Sequence, residues 1–175
     1  MQRRQPLPRL WLMTDERHGD ALGSAIERLP RGSGIVFRHY SLPEAERRAL
    51  FERTKRLAQR RGHLLLLAGP QRLARRWGAD GSHDSRRRRG LLSAPVHSLR
   101  ELRAAERSGA AFVFLSPVFP TRSHPGGSWL GRVRFGRIAR QSRVPVIALG
   151  GMDSARARGL DALGAHGWAA IDAWL

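Results

Sequence analysis

Short apolar runs alternate along this chain with longer polar stretches in which arginine dominates. The runs of strand type lie at 10–15, 34–39, 63–69, 79–83, 90–97, 111–116, 144–151 and 166–174. Buried strands separated by helical stretches predict parallel pairing, because the crossover helices cover both faces of the sheet. Eight such units predict an α/β fold, a (β/α)8 TIM barrel that is short and has trimmed helices. A flavodoxin-like or other doubly wound sheet is the alternative, although it normally needs fewer strands.

Helical spacing of apolar residues fills several of the gaps between these runs. The predicted helices lie at 43–61, around 71–77, at 98–110, 132–142 and 153–164. The clearest of them begins at Ser98, has Glu101 three residues later and stops near Gly109, which is the pattern of a capping box and a glycine stop. We expect one barrel domain at 10–175, preceded by an N-terminal extension at 1–9.

The stretch "FVFLSPVFPTRSHPGGSWLG" at 112–131 changes character in its middle. An apolar strand opens into a segment with hydroxyl groups, an arginine, a histidine and a glycine pair. In a (β/α)8 barrel the active-site loops follow the carboxyl ends of the strands. The pattern therefore predicts a ligand site at this strand end rather than a plain surface turn.

Composition narrows the function classes. The 175 residues include no cysteine, so neither disulfides nor thiolate chemistry is available. This usage suits a cytoplasmic protein, and the longest aliphatic run, Leu64–Ala68, is too short to span a bilayer. We therefore expect a cytoplasmic protein with no membrane partner. A homo-oligomer is compatible with the sequence.

Charge is the most unusual property of the chain. It has 32 basic against 14 acidic residues, a formal charge of +18, and Lys55 is the only base that is not arginine. Guanidinium groups bind phosphate bidentately, so a phosphorylated small molecule is the expected partner. Nucleic acid is the less favoured partner, because a stacking platform needs aromatic residues among the bases and the chain has one tyrosine.

Several segments, in order, resemble the thiamine phosphate synthase / TenI family of barrels. They are "LWLMTD", "GADGSH", "PVFPT", "VPVIALGG" and "GAHGWAAI", and the likeness runs from about Leu10 to Trp174. The resemblance implies a role in thiamine biosynthesis, in which a pyrimidine diphosphate is joined to a thiazole phosphate. Mg²⁺ assists the departure of diphosphate in that family.

Half of the implied site is retained, on the thiazole side. The substrate-binding residues implied by the resemblance are Pro117, Phe119, Thr121, Arg122, Ser123, His124, Gly150 and Gly151. The two glycines offer backbone N–H groups to a phosphate, as in other glycine-rich turns after a strand. The hydroxyl groups face the ligand, the proline and phenylalanine shape an apolar pocket, and Arg122 or His124 stands in for a family lysine. Asp172 occupies the place of a phosphate-binding serine.

The diphosphate side departs from the family pattern. The family has Gln-x-Arg-x-Lys on the second strand, and only the arginine is kept here, as Arg38. Val36 stands in place of the glutamine and Tyr40 in place of the lysine. Asp84 is the only carboxylate near the expected metal position, so Mg²⁺ is implied by the family while its ligands are poorly retained and none is assigned. Arg38 and His97 are the candidate catalytic residues.

Three hypotheses follow from these residues. The chain is a synthase in which Arg86–Arg89 and Arg38 neutralise diphosphate in place of metal. Alternatively it is a TenI-like thiazole tautomerase, with His97 or His124 as the acid or base because Pro117 replaces the family histidine. The third hypothesis is a non-catalytic barrel that binds a phosphorylated metabolite.

Overall fold

The computed structural model describes residues 6–83, 91–123 and 125–174. Eight parallel strands form a closed barrel in chain order, and the last strand pairs with the first. The strands are β1 Leu10–Met13, β2 Gly34–Phe37, β3 Leu64–Ala68, β4 Gly81–His83, β5 Leu91–Val96, β6 Phe112–Leu115, β7 Val146–Ala148 and β8 Gly167–Ala170. The predicted (β/α)8 barrel is confirmed. Each strand is shorter than its apolar run, and except in β4 the last residues of the run leave the ladder and begin the loop that follows the strand.

Helices of uneven length surround the barrel. They are α1 Leu22–Arg28, α2 Glu44–Arg61, α3 Gln71–Trp77, α4 Leu99–Arg107, α5 Gly131–Ala139 and α6 Ser154–Ala157, with 3₁₀ turns at Glu16–Ala21, Asp161–Leu163 and Asp172–Trp174. The predicted trimming is thus present. No described helix combines the length and apolar character needed to cross a membrane.

Two helix predictions need correction. No helix was predicted at 22–28, where α1 forms and packs against α2. The single helix predicted at 153–164 is wrong: α6 ends after four residues, and a 3₁₀ turn follows. Arg158 has ψ 128° and Gly159 has φ +73°, and neither angle continues a right-handed helix.

Aromatic rings fill the interior of the barrel. Trp11 lies 5.0 Å from Phe112 and 5.5 Å from Phe114 between ring centroids, and all three are fully buried. Gly34 has no room for a side chain because a Cβ there would overlap the Trp11 ring. The described interior of the barrel is therefore a packed core, so ligand sites are expected at the ends of the strands.

A buried histidine lies at the carboxyl end of β4. His83 Nδ1 is 2.9 Å from Ser93 Oγ on β5, and its ring packs edge-on to Phe114. Burial, together with the positive charge of Arg38, lowers the pKa of His83 to about 4. The folded protein therefore holds this imidazole neutral.

We predict that His83 makes stability depend on pH. An unfolded histidine takes up a proton below about pH 6.5, whereas folded His83 resists protonation until about pH 4. Stability is therefore fully present above about pH 6.5 and is lost as pH falls toward 4. Between pH 7.5 and pH 5 this group accounts for about 2 kcal/mol of lost unfolding free energy. Urea unfolding at both pH values should show a smaller loss in His83→Gln than in the wild type; equal losses would contradict the prediction.

Candidate functional site

The segment after β6 runs beside the segment after β7. The N–H of Val118 donates to the carbonyl of Leu149 at 2.8 Å, and the N–H of Phe119 donates to the carbonyl of Gly150 at 3.1 Å. These bonds extend the β6–β7 pairing beyond the barrel. Consequently the two loops form one continuous edge at the carboxyl ends of the strands.

Two glycines make this close approach possible. Gly150 has φ +93° and Gly151 has φ +61°, a backbone region that favours glycine. A Cβ on Gly150 would lie 2.6 Å from the Cα of Pro117, and one on Gly151 would overlap the carbonyl oxygen of Pro120. Both conformation and space therefore require glycine at these positions.

A cavity of about 290 Å³ opens between these loops and the end of β8. Its walls include Gly150 and Gly151, together with Thr121 from the loop after β6 and Asp172 from the turn after β8. Neither glycine N–H meets an acceptor among the described residues. Unpaired backbone donors at the wall of a cavity can bind an anion.

The structure places most of the predicted thiazole-side residues at this cavity or at its rim. Thr121 and Arg122 line the cavity, whereas Ser123 is exposed beside it and its N–H donates to Thr121 Oγ1 at 3.3 Å. Pro117 and Phe119 support the loop from outside the lining, and Phe119 packs against the core between barrel and helices. The predicted contribution of His124 falls outside the described residues.

Arg156 is a wall residue that the sequence analysis missed. Its Nη1 donates to the carbonyl of Gly151 at 2.6 Å, and its guanidinium carbon lies 5.5 Å from the centre of the Phe119 ring. These contacts fix the glycine turn against the loop after β6. One arginine among so many on helical segments carries no sequence signal that would single it out.

Arg38 lies on the opposite side of the barrel mouth, after β2. Its Nε donates to the carbonyl of Thr14 at 2.7 Å, and its Nη2 pairs with Asp15 Oδ2 at 2.7 Å. Burial lowers the pKa of Arg38, against the opposing effect of the Asp15 charge. Partial burial opposes ionisation of Asp15, but hydrogen bonds from Arg17 and the charge of Arg38 outweigh it and hold the pKa of this carboxyl below its ordinary value. The guanidinium group of Arg38 is thus fixed by the carbonyl of Thr14 and the carboxylate of Asp15.

Arg17 connects the two sides. Its Nε pairs with Asp15 Oδ1 at 2.7 Å, its Nη1 lies 3.3 Å from Asp172 Oδ1, and its Nη2 donates to Ser123 Oγ at 3.1 Å. Arg122 Nε lies 3.3 Å from the other oxygen of Asp172. One chain of charged groups therefore crosses the barrel mouth; this mouth network consists of Arg38, Asp15, Arg17, Asp172 and Arg122. Neither Arg17 nor Asp15 was predicted as a site residue from the sequence.

His97 lies at the start of α4, after β5. Its Nδ1 is 2.8 Å from Glu101 Oε2, and 54% of its side chain is exposed. Glu101 also accepts the N–H of His97 at 2.9 Å. Burial opposes ionisation of Glu101, but the hydrogen bonds from His97 outweigh it and lower the pKa of the carboxyl. These contacts cap the helix, and His97 is not part of the cavity lining.

The described donors do not suit Mg²⁺. No group of three acidic or histidine side chains that could share a metal exists within the described ranges. Asp15 and Asp172, the carboxylates of the mouth network, are both paired with Arg17. Mg²⁺ takes oxygen ligands that are free to face it, and guanidinium partners oppose such binding. Asp84 and Arg86–Arg89, named in the sequence analysis, lie outside the described residues.

A closed barrel with a cavity at the carboxyl ends of β6, β7 and β8 defines a (β/α)8 protein, and the cavity lies on the face where barrels of this class carry their active-site loops. The chain belongs to the family described as thiamine monophosphate synthase, whose profile matches residues 10–174. Membership assigns the chain to thiamine biosynthesis.

Similar proteins agree with this family. The chain is 29% identical to a thiamine-phosphate synthase of Methylococcus capsulatus, over 96% of this chain and 82% of that protein. It is 32% identical to the bifunctional thiamine biosynthesis protein ThiM/ThiE of Symbiobacterium thermophilum, over 81% of this chain and 32% of that protein. The solved thiamine phosphate pyrophosphorylase of Pyrococcus furiosus has a similar fold, with TM-score 0.78, 23% identity, and coverage of 93% of this chain and 85% of that one.

We predict that Gly151→Ala destabilises the protein far more than Gly109→Ala. Both glycines have positive φ, which costs about 1–2 kcal/mol for alanine. A Cβ on Gly109 meets nothing within 4 Å, whereas one on Gly151 overlaps Pro120. We expect a loss of about 1 kcal/mol for Gly109→Ala and about 3 kcal/mol or more for Gly151→Ala.

Urea unfolding of the two variants measures the difference between them. Because both substitutions share the conformational cost, the excess loss in Gly151→Ala reports the contact between the loops after β6 and β7. If both variants lose the same unfolding free energy, the loops make room for the Cβ at position 151 without measurable cost, which would contradict the prediction.

Proposed function

We propose that the cavity between the loops after β6 and β7 binds thiazole phosphate. The observation that carries the proposal is the pair of glycine N–H groups without described acceptors in the wall of this cavity. Such groups suit a phosphate because they donate to its oxygens at no cost in side-chain entropy. Thr121 adds a hydroxyl donor in the same wall.

We further propose that this bound thiazole is coupled to a pyrimidine diphosphate. In that reaction the bond from the pyrimidine-bearing carbon to the diphosphate oxygen breaks, and diphosphate leaves with the electron pair. The thiazole nitrogen then forms the new C–N bond. The leaving diphosphate needs positive charge. Arg38, at the end of β2, is the described residue that matches the family's diphosphate-binding pattern, and in the proposed reaction it supplies this charge.

Binding without catalysis is the second candidate function. Arg38 already has a carboxylate partner at 2.7 Å and a carbonyl partner at the same distance. To neutralise a diphosphate it would have to exchange Asp15 for the substrate. The described carboxylates also fail to suit a metal that would share this task. These observations support a barrel that holds a phosphorylated thiazole and does not consume it.

We expect thiazole phosphate to bind the wild type, and Thr121→Val to bind it about tenfold more weakly, because one hydrogen bond to a charged group is lost. Isothermal titration calorimetry measures both affinities. Ser108→Ala is the matched control, since it removes a hydroxyl at the C-terminal end of α4, outside the cavity lining. No binding to the wild type, or equal loss in both variants, would contradict the proposed site.

If the chain also couples the substrates, purified protein should form thiamine phosphate from thiazole phosphate and the pyrimidine diphosphate. Arg38→Gln should then lower the rate at least about 100-fold, the order of magnitude of a lost charge-stabilising group. Chromatography of the reaction, with and without Mg²⁺, measures the product. Arg56→Gln on the exposed face of α2 is the control for general loss of positive charge. If the wild type binds thiazole phosphate but forms no product, the coupling reaction is contradicted and the non-catalytic function is supported.

A further inference from the structure

Asp172 places a negative charge in the wall of the proposed phosphate cavity. It follows β8, and its two carboxylate oxygens face guanidinium groups from different loops. Arg17 approaches one oxygen from the turn after β1, and Arg122 approaches the other from the loop after β6. An anion bridging two arginines is the arrangement expected of a bound phosphate.

The carboxylate fits this position poorly. Both guanidinium distances are 3.3 Å, longer than the 2.7–2.9 Å typical of charge-assisted hydrogen bonds. Oδ1 of Asp172 is buried without a well-aligned hydrogen-bond donor among the described residues. By contrast, Asp15 pairs with Arg17 and Arg38 at 2.7 Å each. Of the two carboxylates in the mouth network, Asp172 is therefore the loosely held one.

The two arginines are free to change partner at low cost. Arg122 has 76% of its side chain exposed, and Arg17 keeps Asp15 as a second anion if it releases Asp172. A phosphate monoester carries three acceptor oxygens, whereas the carboxylate has two. A phosphate in the cavity therefore has an oxygen to spare for the glycine N–H groups, which line the same wall as Arg122 and Asp172.

We infer that Asp172 is a specificity-determining residue that acts as a built-in competitor for phosphate. Its carboxylate holds Arg17 and Arg122 in the absence of ligand and repels any anion that enters the cavity. A phosphate group binds only when the rest of its molecule contributes enough contact to displace this carboxylate. The site thereby rejects free inorganic phosphate and accepts phosphate attached to an organic group. The inference rests on the proposed function, because it assumes that the cavity takes a phosphorylated ligand.

Inorganic phosphate is the probe that tests the inference. Asp172→Asn keeps the shape of the side chain and its hydrogen-bonding oxygen but removes the competing charge. We expect the variant to bind inorganic phosphate at least about tenfold more tightly than the wild type, as measured by calorimetry at constant ionic strength. Asp20→Asn in the exposed turn after β1 changes the net charge equally and should leave the affinity at the wild-type value.

A double variant identifies the groups that take the phosphate. Arg17→Gln combined with Asp172→Asn should lose most of the gained affinity, whereas Arg56→Gln combined with Asp172→Asn should keep it. Thermal unfolding of each variant confirms that it is folded. If Asp172→Asn binds inorganic phosphate no better than the wild type or than Asp20→Asn, the inference is overturned.

The result also separates this inference from the proposed function. If the wild type binds thiazole phosphate but Asp172→Asn shows no gain in affinity for inorganic phosphate, the role of Asp172 is overturned and the cavity assignment stands. A gain for inorganic phosphate, with no binding of thiazole phosphate to either protein, would support the competing carboxylate and contradict the proposed ligand.

Discussion

The ligand face depends on the pairing of β1 with β8, which closes the barrel. Leu10 pairs with Trp168, and Leu12 pairs with Ala170. This register places the ends of the first and last strands side by side, although they are separated by most of the chain. Asp15 and Asp172 therefore leave the barrel as neighbours, and Arg17 can contact both. Gly167 permits the approach, since a Cβ there would overlap the carbonyl of Arg9.

The aromatic core explains why the sequence predicted the fold so well. Trp11 and its ring partners fill the barrel, and the apolar runs that carry them are visible as strands without any tertiary information. The missed helix α1 and the overextended prediction at 153–164 are local errors. Extended backbone at Arg158 followed by left-handed backbone at Gly159 ends α6, and the apolar spacing on both sides of these residues concealed the stop.

The candidate site was predictable where its residues lie in one segment. The loop at 117–123 and the glycine pair Gly150–Gly151 follow strands directly, so their place on the ligand face could be expected. The charged network was not predictable, because Arg17 and Ser123 are 106 positions apart and meet only when the barrel closes. In a chain with 32 basic residues, no local pattern marks Arg17 as an arginine that bridges the mouth.

Charge is distributed very differently at the mouth and over the whole chain. The chain carries a formal charge of +18, yet the described arginines of the mouth network have acidic partners. Asp15 and Asp172 thus serve as internal counter-ions on the two sides of the mouth. The tight pair at Asp15 and the loose pairs at Asp172 indicate that the side of the cavity is the more accessible of the two to a new anion.

The hydrogen bonds of the loop after β6 limit how this face can move. Residues 117–120 are bonded on one side to the segment after β7, and on the other side the carbonyls of Pro117 and Val118 accept the N–H groups of Leu130 and Gly131. This part of the loop is therefore anchored at both flanks and cannot swing as a lid. Within the described part of this loop, a displacement that admits or releases a ligand must therefore leave residues 117–119 in place. The floor of the site stays fixed while its rim adjusts.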